Sequence, residues 1–310
     1  MLSVTVRAPA TTANLGPGFD ALGLALDLWN ETRVTLTGQT ISFRMLGEGE
    51  QNASVEDENL FLRAMRRVYE VCACPFPQGM RIRARNRIPW GAGLGSSAAA
   101  IVSGLLAANA LLGQPLSDDE LLYLAIEIEG HPDNIAPAFF GGLTVSLQEE
   151  DRVLVRSLPW RPFRVTVIVP EFSLPTQVSR RLLPQEVPLD RAARSIARAV
   201  LVTQAFAKGD LDLLRRAMQD ELHQPYRLPS IPGAQEALRA AERLGAAVAL
   251  SGAGPSLIAF SLPGMEDVAQ PMQQAFAQAG IPSRCFDLRI SAHGARRFVK
   301  LRDVFQASPS

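Results

Sequence analysis

Apolar and polar positions alternate, or β-branched residues cluster between Gly, Pro and Asn, over residues 4–7, 33–37, 41–45 and 80–85, which predicts four short strands. Residues 59–72 place Leu60, Ala64, Val68 and Val71 at helical spacing instead. Residues 96–112 read as a small-residue, apolar helix buried on most sides and ended by Gly113. Ser117 followed by Glu120 forms a capping box. It opens a helix whose Leu121, Leu124, Ala125 and Ile128 share a face, and Gly130 and Pro132 stop it.

Strands are expected next at 143–147 and 153–155, and Pro159-Trp160-Arg161-Pro162 then reads as a linker. The division it predicts is one domain over 1–157 and a second over 158–310. Beyond it come a strand at 165–169, helices at 191–207 and 234–244, strands at 247–250 and 257–260, a helix at 266–279 and a strand at 284–288. That order suits a ferredoxin-like α+β sandwich. No repeat, heptad run or low-complexity tract stands out, and residues 306–310 are expected to fray.

A length of 310 residues agrees with about two domains, each burying a core of its own. Hydrophobic residues at 47% and charged ones at 20% describe a soluble globular chain. With 31 basic against 31 acidic residues, no net charge draws it to nucleic acid or to an anionic membrane, so neither partner is expected. Nearly all the basic residues are arginines. The lysines, Lys208 and Lys300, sit in no Gly-Lys-Ser/Thr motif, which excludes a Walker P-loop and leaves little for Schiff-base chemistry. Three cysteines without a CxxC pair argue for free thiols in a reducing compartment and against structural zinc. Residues 1–7 lack the pattern of a secretory signal, and the longest apolar run, 98–112, is too short to span a bilayer. A cytoplasmic location is the expectation.

Candidate chemistry concentrates in four segments. Pro89-Trp90-Gly91-Ala92-Gly93-Leu94-Gly95-Ser96-Ser97-Ala98-Ala99 is a glycine-rich loop that enters a helix after a strand. Its glycines let the backbone approach an anion, the helix N-terminus adds free N–H donors, and Ser96 and Ser97 add hydroxyls for a phosphate oxygen or a metal. A tight turn with Ser96 as N-cap is the plainer alternative. A Rossmann loop is disfavoured, because the acid it needs about 20 residues on is replaced by a helix cap near Asp118.

Glu127, Glu129, His131, Asp133 and Asn134 crowd a helix end and the turn after it, a set able to hold a hard cation and orient a hydroxyl, or simply to cap the helix that follows. Residues 9–20 read as a polar, turn-rich loop containing Asn14 and Asp20. Ser251-Gly252-Ala253-Gly254-Pro255-Ser256 lies between two strands, either as a hairpin connection or as backbone pressed against a neighbour or ligand.

Taken together and in this order, the four segments resemble the GHMP kinase family, whose loop runs Pro-x-x-x-Gly-Leu-Gly-Ser-Ser-Ala. Within it, Pro9 to Asp20, Gly130-His131-Pro132-Asp133-Asn134 and Pro225-Tyr226-Arg227 are similar to the branch that acts on L-homoserine. The resemblance implies a two-domain α+β fold, an N-terminal ribosomal-protein-S5-like β/α domain followed by a ferredoxin-like domain, and phosphorylation of L-homoserine by ATP with Mg2+. It implies that Pro89 through Ala99 wrap the ATP phosphates, that Ser97 and Glu127 hold Mg2+, and that Asn59 lies near adenine. Asn14, Asp20, His131 and Asn134 would meet the amino acid, Arg180 (or its neighbour Arg181) and Arg227 its carboxylate, and Asp133 stands where related kinases place a base. A homodimer is also implied.

Overall fold

In β1 (Leu2–Ala13) Val4 and Val6 are buried while Arg7 is exposed, and this two-residue period sets which face of the first sheet carries the core. The computed structural model describes residues 2–52, 59–149 and 152–301. The N-terminal half continues through β2 (Leu22–Leu36), β3 (Ile41–Gly47), α1 (Leu60–Val71), β4 (Met80–Asn86), α2 (Ser96–Leu111), α3 (Asp118–Glu129), α4 (Ile135–Phe140), β5 (Leu143–Gln148) and β6 (Val153–Leu158). The C-terminal half holds β7 (Arg164–Pro170), α5 (Thr176–Arg181), α6 (Leu189–Lys208), α7 (Leu211–Ala217), α8 (Gln224–Arg227), α9 (Ala234–Arg243), β8 (Ala247–Leu250), β9 (Leu257–Ser261), α10 (Ala269–Gln278), β10 (Ser283–Leu288) and β11 (Arg296–Leu301).

Among the described residues, one sheet has the order β11-β1-β2-β4-β3, with β5 added to β2 and β6 to β5, and only β3–β4 is parallel. Helices α1 to α4 cover it with a core of Val4, Val6, Ile82, Met65, Leu105 and Ile135. The capping box at Ser117 and Glu120 is formed and starts α3. The second sheet, β10-β7-β9-β8, is antiparallel and places its strands in the chain order fourth, first, third, second of a ferredoxin-like sandwich.

Alternation along this second sheet feeds two cores. Ile168, Val248, Leu250 and Leu257 pack under α9 and α10, whereas Val165, Val167, Ala249, Ile258 and Phe260 face the other way. There they meet α6 and α7 together with Ala8, Leu24, Leu26, Ile88 and Leu94 of the N-terminal half. Phe163, Phe206 and Phe260 meet edge to face at its centre, with centroids 5.3 to 6.2 Å apart. So each half has a core of its own, as expected, and the two halves also share a third that was not expected.

Other expectations shift for physical reasons. The first strands run well past 4–7 and 33–37, since Ala8–Ala13 and Leu22–Leu26 are buried on both faces and show no alternation. Pro9, expected in a loop, lies inside β1 where the register shifts against β2, a place that tolerates a missing N–H. Helices α5, α7 and α8, at four to seven residues, are too short to show a period. β11 was also not foreseen; it pairs antiparallel with β1, so residues 296–301 belong to the first sheet and not with the rest of 158–310. The frayed tail at 306–310 lies outside the described residues.

Candidate active site

The glycine-rich loop runs from Trp90 into α2, and its position is set from two sides. Leu94 accepts from Thr11 N at 3.1 Å on one side, and on the other the Ser251 hydroxyl donates to Gly93 O at 2.7 Å while Ser256 N reaches Ala92 O at 3.3 Å. A Cβ at Gly93 would lie 2.2 Å from Ser251 O, and one at Gly95 would lie 1.8 Å from Thr11 Oγ1. Both have positive φ, 76° and 65°, so only glycine fits either position without strain. The N-cap of α2 is Gly95, without a side-chain capping bond, and not Ser96 as in the plainer alternative. The first N–H groups of this 16-residue helix therefore have no side-chain cap and open towards a cavity.

That cavity, of about 220 Å3, is lined by Trp90 through Ser97, Asn14, Asp20, Glu129, His131, Asp133, Asn134, Arg180 and Arg227. A second one of about 400 Å3 adjoins it at Trp90, Ser96 and Ser97 and includes Phe43, Met45, Asn59 and Ala99. Asn59 also caps α1, accepting from Phe61 N and Leu62 N. Pro89 and Ala98 are buried and line neither cavity.

The expected metal ligand Glu127 is corrected by helix geometry. Its carboxylate pairs with Arg67 at 3.2 Å on the exposed flank of α3, whereas Ser97 Oγ donates to Glu129 Oε1 at 2.6 Å. Leu121, Ala125 and Glu129 lie one turn apart on the inward row, and Glu127 is turned about 200° from Glu129. Burial raises the Glu129 pKa above the ordinary carboxylate range, with the Ser97 hydrogen bond working against the shift.

Beyond α3, His131 Nδ1 lies 2.8 Å from Asp133 Oδ1. Burial opposes the charged imidazole, but the hydrogen bond and charge of Asp133 outweigh it and raise the His131 pKa. Asn134 Oδ1 accepts from Thr11 Oγ1 at 2.8 Å.

At the far end, Asn14 and Asp20 both adopt positive φ, and Asn14 links two segments: its Nδ2 donates to Gly252 O at 2.9 Å and its Oδ1 accepts from Asp20 N at 3.0 Å. Arg180 makes two bonds to Asp20, at 3.0 and 2.9 Å, so these two expected ligands are paired with each other. Arg181 is exposed and lines neither of these two cavities. Arg227 is 2% exposed; its Nη1 is shared between His223 Nδ1 at 3.2 Å and Gly252 O at 3.3 Å, and its Nε has no partner. Burial, with Arg180 adding repulsion, lowers its pKa to about 10, which still leaves it a cation at neutral pH.

Sequence reasoning missed His223, reached Thr11 and Gly252 only as members of the segments 9–20 and 251–256, and named Glu129 without choosing it. The helical row through Leu121 and Ala125 was the signal for Glu129; the others are brought in only by tertiary packing.

Known proteins place this arrangement. The family model described as GHMP kinases N terminal domain matches residues 59–142, and the one described as GHMP kinases C terminal matches 202–278. Fold and glycine-rich loop thus define the class, that of the GHMP kinases. A homoserine kinase of Moorella thermoacetica is 46% identical over 94% of this chain and 98% of its own length, and one of Carboxydothermus hydrogenoformans is 41% identical over 94% and 96%. The crystal structure of homoserine kinase from Cytophaga hutchinsonii superposes with a TM-score of 0.81 at 30% identity, covering 96% of this chain and 97% of that one. The chain belongs to the GHMP kinase family and, within it, to the homoserine kinases. Leishmania major mevalonate kinase, at 15% identity, 92% and 94% coverage and a TM-score of 0.68, shares the fold.

The interlock at Gly93 makes a specific demand. Gly93→Ala is expected to lower stability by about 1–3 kcal/mol through forced backbone movement against Ser251, and Gly91→Ala, whose Cβ would meet open space, by less; urea unfolding of the two variants checks this.

Proposed function

We propose that this chain transfers the γ-phosphoryl group of ATP to the side-chain hydroxyl of L-homoserine, giving ADP and O-phospho-L-homoserine, a step towards threonine. The observation that carries the proposal is Arg227, a buried cation whose Nε lacks a protein partner, facing the same cavity as Asp20 and the phosphate loop. A carboxylate satisfies such a fork, and an ammonium suits Asp20. On binding, the ammonium would compete for Asp20 and free Arg180 for the carboxylate. The names of the relatives point to the same substrate.

The loop N–H groups and the α2 N-terminus would take the phosphates, and the larger cavity beside Asn59 the nucleoside. Ser97 Oγ and the buried Glu129 carboxylate are hard oxygen donors turned towards the loop, which fits Mg2+. Among the described residues no cluster of three or more acidic, His or Cys side chains could cage a metal, as suits an ion that completes its shell with phosphate oxygens and water. When bound, Mg2+ would neutralise charge on the transferring group.

Asp133, held by His131, would take the hydroxyl proton, with Asn14 and Asn134 positioning the substrate beside it; the 2.8 Å contact between His131 and Asp133 supports this reading. Among the described residues no helix is long and apolar enough to cross a membrane. The family resemblance further supports a cytoplasmic homodimer.

The reading is tested by ADP release with MgATP and L-homoserine, L-serine, L-threonine, mevalonate or galactose, followed by mass identification of the product. Turnover of homoserine alone is expected, and Arg227→Ala should raise its KM about 10- to 100-fold, the worth of hydrogen bonds to a charged group. Preference for another alcohol, or a wild-type KM in that variant, overturns the substrate assignment.

Glu129→Gln should raise the Mg2+ concentration needed for half-maximal rate, and Glu127→Gln should leave it unchanged; the reverse would restore Glu127 as the ligand. Asp133→Asn is expected to reduce kcat about 10²- to 10⁴-fold, the usual range for a general base, and a wild-type kcat would eliminate that role.

A further inference from the structure

His223 is wholly buried behind the carboxylate end of the cavity and does not line it. Its ring is held on every side. Nε2 lies 2.9 Å from Gly16 O, Nδ1 lies 3.2 Å from Arg227 Nη1, and the ring stacks on Phe19 with centroids 5.3 Å apart. The backbone is pinned as well, since Asp220 accepts from the N–H groups of Leu222, His223 and Gln224.

These partners determine the tautomer. A guanidinium only donates, so Nδ1 must accept from Arg227, and a carbonyl only accepts, so Nε2 carries the hydrogen that goes to Gly16. The imidazole is therefore neutral, and burial favours that form by lowering its pKa. Asp220 Oδ2, 3.5 Å from Nε2, is already engaged by two backbone N–H groups.

We infer that His223 is a positioning residue for the phosphoryl acceptor: its neutral imidazole is the hydrogen-bond acceptor that sets the orientation of the Arg227 guanidinium and leaves the remaining donors of that fork for the substrate carboxylate. The inference rests on the amino-acid kinase reading of the site. Neutrality is the point of using histidine here. A carboxylate in its place would neutralise Arg227 and compete with the substrate, and an imidazolium would repel it. Among the described residues no other side chain hydrogen-bonds the Arg227 guanidinium, although Asp20, Asp133 and Asp220 lie near enough to act on its charge. Phe19 fills the space between His223, Arg180 and Arg227, with both guanidinium carbons 5.4 to 5.9 Å from its ring centre, so the fork has little room to turn elsewhere.

Two amide variants separate the ring's two hydrogen bonds. In His223→Asn the carboxamide oxygen replaces Nδ1 and the bond to Arg227 is kept; in His223→Gln the amide nitrogen replaces Nε2 and only the bond to Gly16 is kept. Each retains one buried partner, so both have a route to folding. The expected result is an L-homoserine KM raised about tenfold in His223→Gln, one hydrogen bond to a charged group, and largely recovered in His223→Asn. The KM for ATP should not move. The inhibition constant of 3-amino-1-propanol, which is homoserine without its carboxylate, should also be unaffected by the Gln variant.

Equal homoserine KM values in the two variants, or the same loss towards 3-amino-1-propanol, would overturn the inference while leaving the kinase reading in place. If the wild-type chain does not phosphorylate homoserine, it is the kinase reading that falls. Crystal structures of the two variants then decide for His223: an Arg227 guanidinium displaced in Gln but not in Asn supports the positioning role, and one unmoved in both refutes it.

Discussion

The turn between β8 and β9 presses Gly252 and its neighbours against the glycine-rich loop, and the geometry of the whole site depends on that contact. The Gly252 carbonyl accepts from both Asn14 and Arg227, while the adjacent Ser251 hydroxyl holds Gly93 O and pairs with the Thr12 hydroxyl. The glycine-rich loop, the Asn14 amide and the Arg227 guanidinium are thereby referred to one short stretch of backbone contributed by the other half of the chain. Beneath it the shared core around Phe206 and Phe260 keeps the halves from moving independently. A packed core resists continuous deformation, so the distances across the cavity are properties of the scaffold more than of the loops.

Charge is divided along the cavity. Glu129 and Asp133 lie near the phosphate loop, Arg227 and Arg180 near its far end, and Asp20 sits against Arg180. A buried carboxylate and a buried guanidinium are each costly without a partner. Here Glu129 receives one hydrogen bond from Ser97, and Arg227 has only the neutral acceptors His223 and Gly252. Both groups are left short of counter-charge, a state that a cation at one end and a carboxylate at the other would relieve.

Much of this was legible in the residues. Period-two and period-3.6 patterns located the amphipathic strands and the longer helices, and the glycine-rich loop carried its chemistry in its composition. Where both faces of an element are buried, as in Ala8–Ala13, the period disappears and the strand end is lost. The choice of Glu127 over Glu129 came from matching a motif instead of following the helix row from Leu121 through Ala125. The contacts of Thr11 with Asn134, of Gly252 with Asn14 and of His223 with Gly16 could not be found that way, because they join segments more than a hundred residues apart in the chain.

The pairing of β11 with β1 has a bearing on how the molecule is made. Residues 2–7 are synthesised long before their outer neighbour 296–301, so the edge of the first sheet stays uncovered while the segment between them is made. At about 5–20 residues per second, making the residues between the two strands takes roughly 15–60 s. During that time β1 presents unpaired N–H and C=O groups, the kind of edge on which aggregation starts. The exposed Arg7 offers electrostatic protection there, since a charged edge discourages another strand from docking. Closure of this edge joins two segments far apart in the chain, so the edge has to remain soluble until 296–301 has been made.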